Sequence, residues 1–305
     1  MIKIVIIGNR SFIAETFIKA ILNRKDVSLY CFARNNTSII HNKQIIFFDL
    51  DLNDLSEDLF LHLKDADFVL NFLSNSNYLD LLNDPISDIQ KTVIPILSII
   101  EYIAKNNKLC KYFHFGSRLQ YKADLNLDES SIRSPEHPYS INKQFLEYYC
   151  NFFNKKYCFK YCFLIVSNPF GFYSKKFDKN YSFVNLLLSK ALSGDEIEIF
   201  GDGSQIRDII YVDDLAVIIE KLIFSRKNIY GTVNIGSGLT YSIREVAECI
   251  IKVVGSGNIV YTEWPKDRKN VETGSYSYDI SKLKNILGTF KFHNLEEGLK
   301  LVLKK

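Results

Sequence analysis

The chain opens with Ile2-Lys3-Ile4-Val5-Ile6-Ile7-Gly8-Asn9-Arg10-Ser11-Phe12-Ile13-Ala14, and this stretch decides the fold. Residues 2–7 form a mostly apolar run of the kind that becomes a strand buried on both faces. Gly8, Ser11 and Ala14 follow one another at spacings of three, and apolar side chains then recur at helical period from Phe17. The pattern predicts a strand, a tight turn and a helix whose N-terminus can hold a pyrophosphate.

Small residues in such a turn let the backbone approach a dinucleotide and let the helix pack closely on the sheet. Two of the three positions where glycine is usual carry Ser11 and Ala14, which are small enough to keep that geometry. We therefore expect cofactor contacts from the loop residues Gly8, Arg10, Ser11, Phe12 and Ile13. A plain strand-to-helix turn that binds no cofactor is the alternative.

The second predicted strand, Val27 to Phe32, leads into Arg34, where an NAD-selective site would place a carboxylate for the ribose 2′-hydroxyl. No acidic residue stands there in the sequence. A guanidinium suits a 2′-phosphate and Arg10 supplies a second one nearby, so the sequence favours NADP over NAD as the cofactor. A solvated loop charge is the alternative for Arg34.

Further apolar runs alternate with helical patterns along the chain. The runs are Ile45 to Phe48, Phe68 to Leu73, Cys110 to Phe115 and Phe159 to Val166, and the clearest helices are Asp88 to Lys105 and Tyr139 to Phe153. This alternation predicts an α/β fold: a doubly wound parallel sheet with helices on both faces and ligands beyond the carboxyl ends of its strands.

Three residues at or beyond strand ends complete the expected cofactor site, namely Asp51, Leu52 and Leu73. The Asp51 carboxylate is expected to accept a hydrogen bond from the adenine amino group. Asp49 and Leu50 offer an equally good register, and an exposed acidic loop is a further alternative.

Tyr139 and Lys143 lie four residues apart at the start of a predicted helix, so both side chains project from one helical face. An ammonium one turn away favours the phenolate and moves the pKa of a tyrosine toward neutral pH, which suits a proton shuttle to a substrate hydroxyl. Ser117 would emerge at the carboxyl end of the fifth strand, where its hydroxyl can bond the same substrate oxygen. An exposed i,i+4 pair is the alternative for the helical residues.

Taken together, these motifs resemble those of the extended short-chain dehydrogenase/reductases, the family of nucleotide-sugar epimerases, dehydratases and reductases. The resemblance covers essentially the whole chain. It rests on five ordered segments: Ile6 to Ala14, Gly116 to Tyr121, Tyr139 to Lys143, Ser167 to Gly171 and Gly201 to Asp214.

The resemblance implies a Rossmann-type domain over residues 1–169 and a mainly substrate-binding C-terminal lobe over residues 170–305, some segments of which return to the first domain. It implies that Ser117, Tyr139 and Lys143 are catalytic, with Ser117 also on the substrate. Tyr139 and Lys143 would contact the cofactor, and Lys143 would hold the nicotinamide ribose. Substrate contacts are implied for Asn168, Arg207 and Arg268, the two arginines on phosphate oxygens.

Departures from the family pattern narrow the expected reaction. Arg118 and Leu119 stand where the 4,6-dehydratases carry the acids that remove water, and Leu119 stands where the bifunctional epimerase-reductases carry a cysteine. We therefore expect reduction of a 4-keto sugar nucleotide. A 4-epimerase with retained NAD is the alternative, and a non-catalytic cofactor- or nucleotide-binding regulator is a third reading, suggested by the glycine losses at Ser11 and Ala14.

The composition agrees with an enzyme of the cytoplasm. No apolar run approaches about 18 uncharged residues, so no membrane span is expected, and the net charge of +3 is scattered rather than gathered into a nucleic-acid stripe. Cys158 and Cys162 lack partner histidines at zinc spacing, so no metal site is expected. The expected partners are a nucleotide-diphosphate sugar and a second copy in a homodimer, with a role in polysaccharide biosynthesis.

Overall fold

The computed structural model describes residues 1–35, 40, 42–75, 81–172, 182–227, 229–265 and 274–304. The chain divides into two compact units. The first comprises Met1–Ser117, His137–Ile165 and Ile219–Val233, and the second comprises Arg118–Glu136, Val166–Ile218 and Asn234–Lys305. The boundary at residue 169 that the resemblance implies remains a prediction.

The first unit is built on a seven-stranded parallel sheet. Its strands are β1 (Ile2–Ile7), β2 (Val27–Ala33), β3 (Ile45–Asp49), β4 (Phe68–Asn71), β5 (Lys111–Ser117), β6 (Lys160–Val166) and β10 (Gly231–Ile235), the last two running a little way into the second unit. Their order is β10-β6-β5-β4-β1-β2-β3. The helices are α1 (Phe12–Ile21), α2 (Glu57–Leu63), α3 (Pro85–Asp88), α4 (Ile94–Asn106) and α5 (Pro138–Tyr157).

Strand β1 lies between β2 and β4, with Ile7 beside Phe32 on one side and beside Asn71 on the other. Its side chains from Ile4 to Ile7 are fully buried, which explains the apolar run. The chain reverses its winding direction at β1, so the carboxyl ends of β1 and β4 border the crevice where doubly wound sheets bind ligands. The predicted fold class is confirmed.

The helix predicted over Asp88 to Lys105 begins earlier and is not uniform. It starts at Pro85 as α3, passes through a π-helical segment, Ile89–Val93, and continues as α4. Pro95 lies in the first turn of α4, where it has no N–H to donate to the preceding helical turn. Such π-helical turns are rare and frequently mark functional sites.

The second unit carries two small sheets. Its strands are β7 (Asn168–Phe170), β8 (Glu196–Phe200), β9 (Ile206–Tyr211), β11 (Thr240–Ser242) and β12 (Asn258–Thr262), and the sheets have the orders β11-β9-β7 and β12-β8. The helices are α6 (Phe183–Ser193), α7 (Val212–Ile223, whose last residues belong to the first unit), α8 (Ile243–Val254), α9 (Ser281–Leu287) and α10 (Leu295–Val302). A core that includes Phe170, Leu188, Ile197, Val246 and Leu299 holds them together. Among the described residues, no helix is both long and apolar enough to cross a membrane.

Candidate active site

Helix α5 brings Tyr139 and Lys143 together in the first unit. The Lys143 ammonium lies 5.9 Å from the centre of the Tyr139 ring. Ser74, just beyond β4, donates a hydrogen bond from its hydroxyl to the Tyr139 oxygen at 3.3 Å. The phenol oxygen is therefore held beside the carboxyl end of the sheet, where the sequence places the reaction.

The start of α5 is fixed by a histidine cap. His137 Nδ1 accepts a hydrogen bond from the Tyr139 backbone N–H at 3.0 Å, and the Ser140 hydroxyl accepts from the His137 N–H at 3.3 Å. Caps of this kind stabilise a helix by about 1 kcal/mol. His137 therefore holds the backbone of Tyr139 in place.

Lys143 is almost fully buried, with 5% of its surface exposed. Its Nζ donates to the Leu73 carbonyl oxygen at 3.3 Å and lies 3.5 Å from His114 Nε2. Burial lowers the pKa of Lys143 from its ordinary value of 10.5 to about 8, against a smaller opposite effect of the Asp88 carboxylate. The side chain is thus still an ammonium at neutral pH and favours a phenolate at Tyr139.

A group of polar side chains that the sequence did not single out surrounds this pair. The Asp88 carboxylate accepts from the Asn142 amide at 2.7 Å and from the Asn75 amide at 3.4 Å. A cavity of about 10 Å³ is lined by these residues together with Ser74, Thr92, Tyr139 and Lys143. That volume corresponds to about one water molecule. Asp88 belongs to a helix predicted from periodicity alone, which carries no signal for its inward-facing carboxylate.

Ser117 is the last residue of β5 and is half-buried. Because parallel strands end at one edge of the sheet, it lies at the same edge as Gly8, Arg34 and Leu73, which follow β1, β2 and β4.

Gly8 occupies a position that only glycine fits. Its φ of +81° is unfavourable for other residues, and an added Cβ would lie 3.0 Å from the Leu73 nitrogen. Ser11, which replaces a usual glycine, is more than a small residue, since its hydroxyl accepts from the Ala14 N–H at 3.2 Å and caps α1. Phe12 and Ile13 begin that helix. The loop therefore ends on a helix N-terminus, and its geometry fits a dinucleotide diphosphate.

Arg10 is directed to the end of β2, because its guanidinium donates to the carbonyl oxygens of Arg34 and Asn35 at 2.8 and 3.0 Å. Arg10 and Arg34 are both exposed at this edge. After β3, one Asp51 carboxylate oxygen accepts from the backbone and side-chain nitrogens of Asn53, each at 2.9 Å, and Leu52 is half-buried beside it. The structure thus brings Arg10 of the first predicted cofactor loop into contact with residues 34 and 35 at the end of β2.

In the second unit, the side chain of Asn168 is engaged at both ends. Its Oδ1 accepts from Arg118 Nε at 3.1 Å and its Nδ2 donates to the Asp208 carbonyl at 2.8 Å. Arg207 is 4% exposed, donates to the Ile206 carbonyl at 2.9 Å and lies 5.9 Å from the Tyr276 ring centre. Arg268, the third predicted substrate contact, lies outside the described residues.

Comparisons with known proteins agree with this architecture. The chain is 27% identical over 305 aligned residues to a Methanocaldococcus jannaschii protein named as a UDP-glucose 4-epimerase, covering 98% of this chain and 97% of that protein. UDP-N-acetylglucosamine 4-epimerase from Methanobrevibacter ruminantium, solved with UDP-N-acetylmuramic acid, matches with a TM-score of 0.86 at 25% identity, over 99% of this chain and 97% of the other. UDP-glucuronic acid 4-epimerase from Bacillus cereus, solved with UDP-glucuronic acid and NAD, matches with a TM-score of 0.84 at 21% identity, over 99% and 98%.

A family model described as the NAD dependent epimerase/dehydratase family matches residues 4–236 of the chain. That span contains the dinucleotide loop, Ser117 and the tyrosine–lysine pair of α5, so the resemblance drawn from the motifs is confirmed. The protein therefore belongs to the NAD-dependent epimerase/dehydratase family of enzymes.

Proposed function

We propose that this protein is a nucleotide-sugar 4-epimerase with an NAD(P) cofactor. The observation that carries the proposal is the Tyr139–Lys143 pair, in which a buried ammonium lies one helical turn from the phenol. Similar proteins named as UDP-sugar 4-epimerases support the reaction type.

In the proposed reaction, Tyr139 takes the proton of the sugar 4-hydroxyl as a phenolate and later returns it. The Ser117 hydroxyl hydrogen-bonds the same sugar oxygen. A nicotinamide dinucleotide, when bound, would supply the group that exchanges a hydride with C4 of the sugar, and the reaction would have no net oxidation. Lys143 keeps a positive charge beside Tyr139 and thereby holds the phenol ready to ionise.

The residues that would hold the dinucleotide lie at the carboxyl edge of the first unit's sheet. Gly8, Ser11, Phe12 and Ile13 would contact the diphosphate at the start of α1. Asp51 and Leu52 would contact the adenine, and Lys143, with Leu73 beside it, would hold the nicotinamide ribose. For the sugar nucleotide we propose Asn168, Arg207 and Arg268, with the guanidinium groups on the phosphates.

A second candidate, an NADPH-dependent reductase of 4-keto sugar nucleotides, is favoured by Arg10. This guanidinium lies at the end of β2, beside the backbone of Arg34, where a 2′-phosphate would sit. We do not propose dehydration, because the position of the dehydratase acid carries Arg118, which donates to Asn168 and lies 4.8 Å from the Tyr276 ring centre.

The test is incubation of the purified protein, without added cofactor, with UDP-glucose, UDP-N-acetylglucosamine or dTDP-glucose, followed by NMR analysis of the sugar. Appearance of the C4 epimer in one of them, and its absence with Tyr139→Phe, would support the epimerase. Cofactor released by denaturation would be identified by mass. Oxidation of added NADPH by a 4-keto-6-deoxy sugar nucleotide, with no epimer formed, would instead support the reductase. Neither reaction, with no cofactor bound, would support a binding or regulatory protein.

We also propose that the protein acts as a homodimer in the cytoplasm. Helix α5 presents an apolar stripe at helical spacing, formed by Ile141, Phe145, Tyr148 and Phe152, which are 48%, 40%, 62% and 48% exposed. An exposed stripe of this kind suits an interface that two copies share about a twofold axis. Light scattering tests the proposal: the wild type should have the mass of a dimer and Phe145→Glu that of a monomer.

A further inference from the structure

His114, a buried histidine of strand β5, contacts Lys143 from the side of the sheet. Along β5, Tyr112 and His114 are two residues apart and so face the same side of the sheet. Asn71 of β4 is the register partner of His114. All three side chains are fully buried, with 0% of their surface exposed. The topology thus places a polar cluster, Asn71, Tyr112 and His114, between the sheet and the Lys143 ammonium of α5.

The contacts in this cluster form a chain, and its part from Leu73 to Tyr112 has a fixed direction. The Asn71 Oδ1 accepts from the Leu73 N–H at 3.0 Å, so its Nδ2 is the atom that donates to the Tyr112 oxygen at 2.8 Å. The same phenol oxygen lies 2.9 Å from His114 Nδ1. On the other side of the ring, Nε2 lies 3.5 Å from Lys143 Nζ, at the outer limit of a hydrogen bond.

The charge on Lys143 decides which nitrogen of His114 carries the proton. Burial, and then the Lys143 charge, lower the pKa of His114 well below its ordinary value, so the imidazole is neutral. An ammonium can only donate, and Nε2 must therefore be the acceptor. The proton then lies on Nδ1 and is donated to the Tyr112 oxygen, which also accepts from Asn71 Nδ2, an atom 3.5 Å from Nδ1. The Tyr112 hydroxyl hydrogen then has no acceptor within this cluster, so the charge on Lys143, rather than the Asn71 contact, sets the tautomer.

We propose that His114 is a positioning residue, which orients the Lys143 ammonium by accepting one of its hydrogens and thereby helps to keep it charged. The Leu73 carbonyl takes a second hydrogen. The third hydrogen is then left for the phenol side of the site, where the cofactor ribose would lie. This role rests on the proposed function, in which Lys143 supports Tyr139.

The other charged or titratable groups that face Lys143 come from two helices. Tyr139 lies on its own helix, and Asp88 on α3 acts on it through its charge. The segment after β4 contributes the uncharged carbonyl of Leu73. Among the described residues, His114 is therefore the group on the sheet side whose replacement should move the titration of Lys143.

The test uses lysine labelled at the ε carbon and follows the NMR titration of Lys143, assigned by its loss in Lys143→Met, with no cofactor or sugar present. The wild-type signal should titrate near the pKa of about 8. In His114→Leu it should titrate about one pH unit lower, because the ammonium loses an acceptor. In His114→Gln, whose amide oxygen can accept, it should stay within about 0.3 units of the wild type. An unchanged or raised value in His114→Leu, or equal shifts in both variants, would overturn the proposal.

Tyr112→Phe provides a second variant that keeps the buried ring, should the leucine variant fail to fold. Without the phenol oxygen, Nδ1–H loses its acceptor and the other tautomer turns an N–H toward the ammonium, so the Lys143 titration should fall by at least about 0.5 units. An unchanged titration refutes the positioning role. Because the measurement needs no substrate, its result is independent of whether the epimerase assay succeeds.

Discussion

Replacement of Lys143 by methionine should make the protein more stable while removing its activity. The folded state lowers the pKa of Lys143 from 10.5 to about 8, so the unfolded chain binds the proton more tightly. At about 1.4 kcal/mol per pH unit, holding the ammonium costs the fold about 3 kcal/mol below pH 8. Methionine removes that cost but leaves two buried acceptors, the Leu73 carbonyl and His114 Nε2, without their donor, a loss of about 2 kcal/mol. The expected net gain is about 1 kcal/mol.

Urea unfolding followed by circular dichroism measures this gain, and pH identifies its origin. In the wild type, Lys143 loses its proton at a lower pH in the folded state than in the unfolded state. Wild-type stability should therefore rise as pH increases from about 8 toward 10.5. The advantage of Lys143→Met should therefore be present at pH 7 and gone by about pH 9. Lys108→Met, at an exposed position, is the matched control and should change little. A variant less stable than the wild type at pH 7, or a gain that does not vary with pH, would refute the reasoning.

Three further substitutions test the proposed roles. Tyr139→Phe should lower turnover by at least about 100-fold with cofactor affinity nearly unchanged, because the proton-transfer group is lost and the ring remains; near-normal turnover would contradict the mechanism. Arg207→Ala should weaken sugar-nucleotide binding, measured by calorimetric titration, by about 1.5 to 3 kcal/mol and leave cofactor affinity unchanged. A variant with the wild-type substrate affinity would show that Arg207 does not bind the phosphate. The wild type should bind NADPH at least about 10-fold more tightly than NADH, and Arg34→Asp should reverse the order; equal wild-type affinities would show that Arg34 and Arg10 do not select the phosphate.

The sheet was predictable because its signals are local. A buried parallel strand shows itself as an apolar run, and the runs at Ile45 and Phe68 begin strands where the sequence predicts them. Strand ends were predictable for the same reason, which put Ser117 and Gly8 at one edge. The preference for 4-keto reduction, in contrast, rested on a few replaced positions, and the similar epimerases support the alternative instead.

The surroundings of Lys143 were beyond the sequence, because they depend on pairing between strands. His114 meets Asn71 only through the register of β5 on β4, which is set by the whole sheet rather than by nearby residues. Asp88 is buried directly before the π-helical segment, and no periodic pattern reveals such a segment. A buried histidine in an apolar strand, such as His114, cannot be told from an ordinary core residue without its neighbours.

The bridge from Arg10 to the carbonyls of residues 34 and 35 has a consequence for how a ligand arrives. It ties the loop after β1 to residues 34 and 35, at the end of β2, in the protein alone. Ordering a segment during association takes binding free energy away from a ligand. Here residues 10, 34 and 35 are held together when the chain folds, so a dinucleotide would meet a preformed rim at this point. Association of the cofactor should consequently resemble docking to a preformed surface, with little loop rearrangement between the free and bound enzyme.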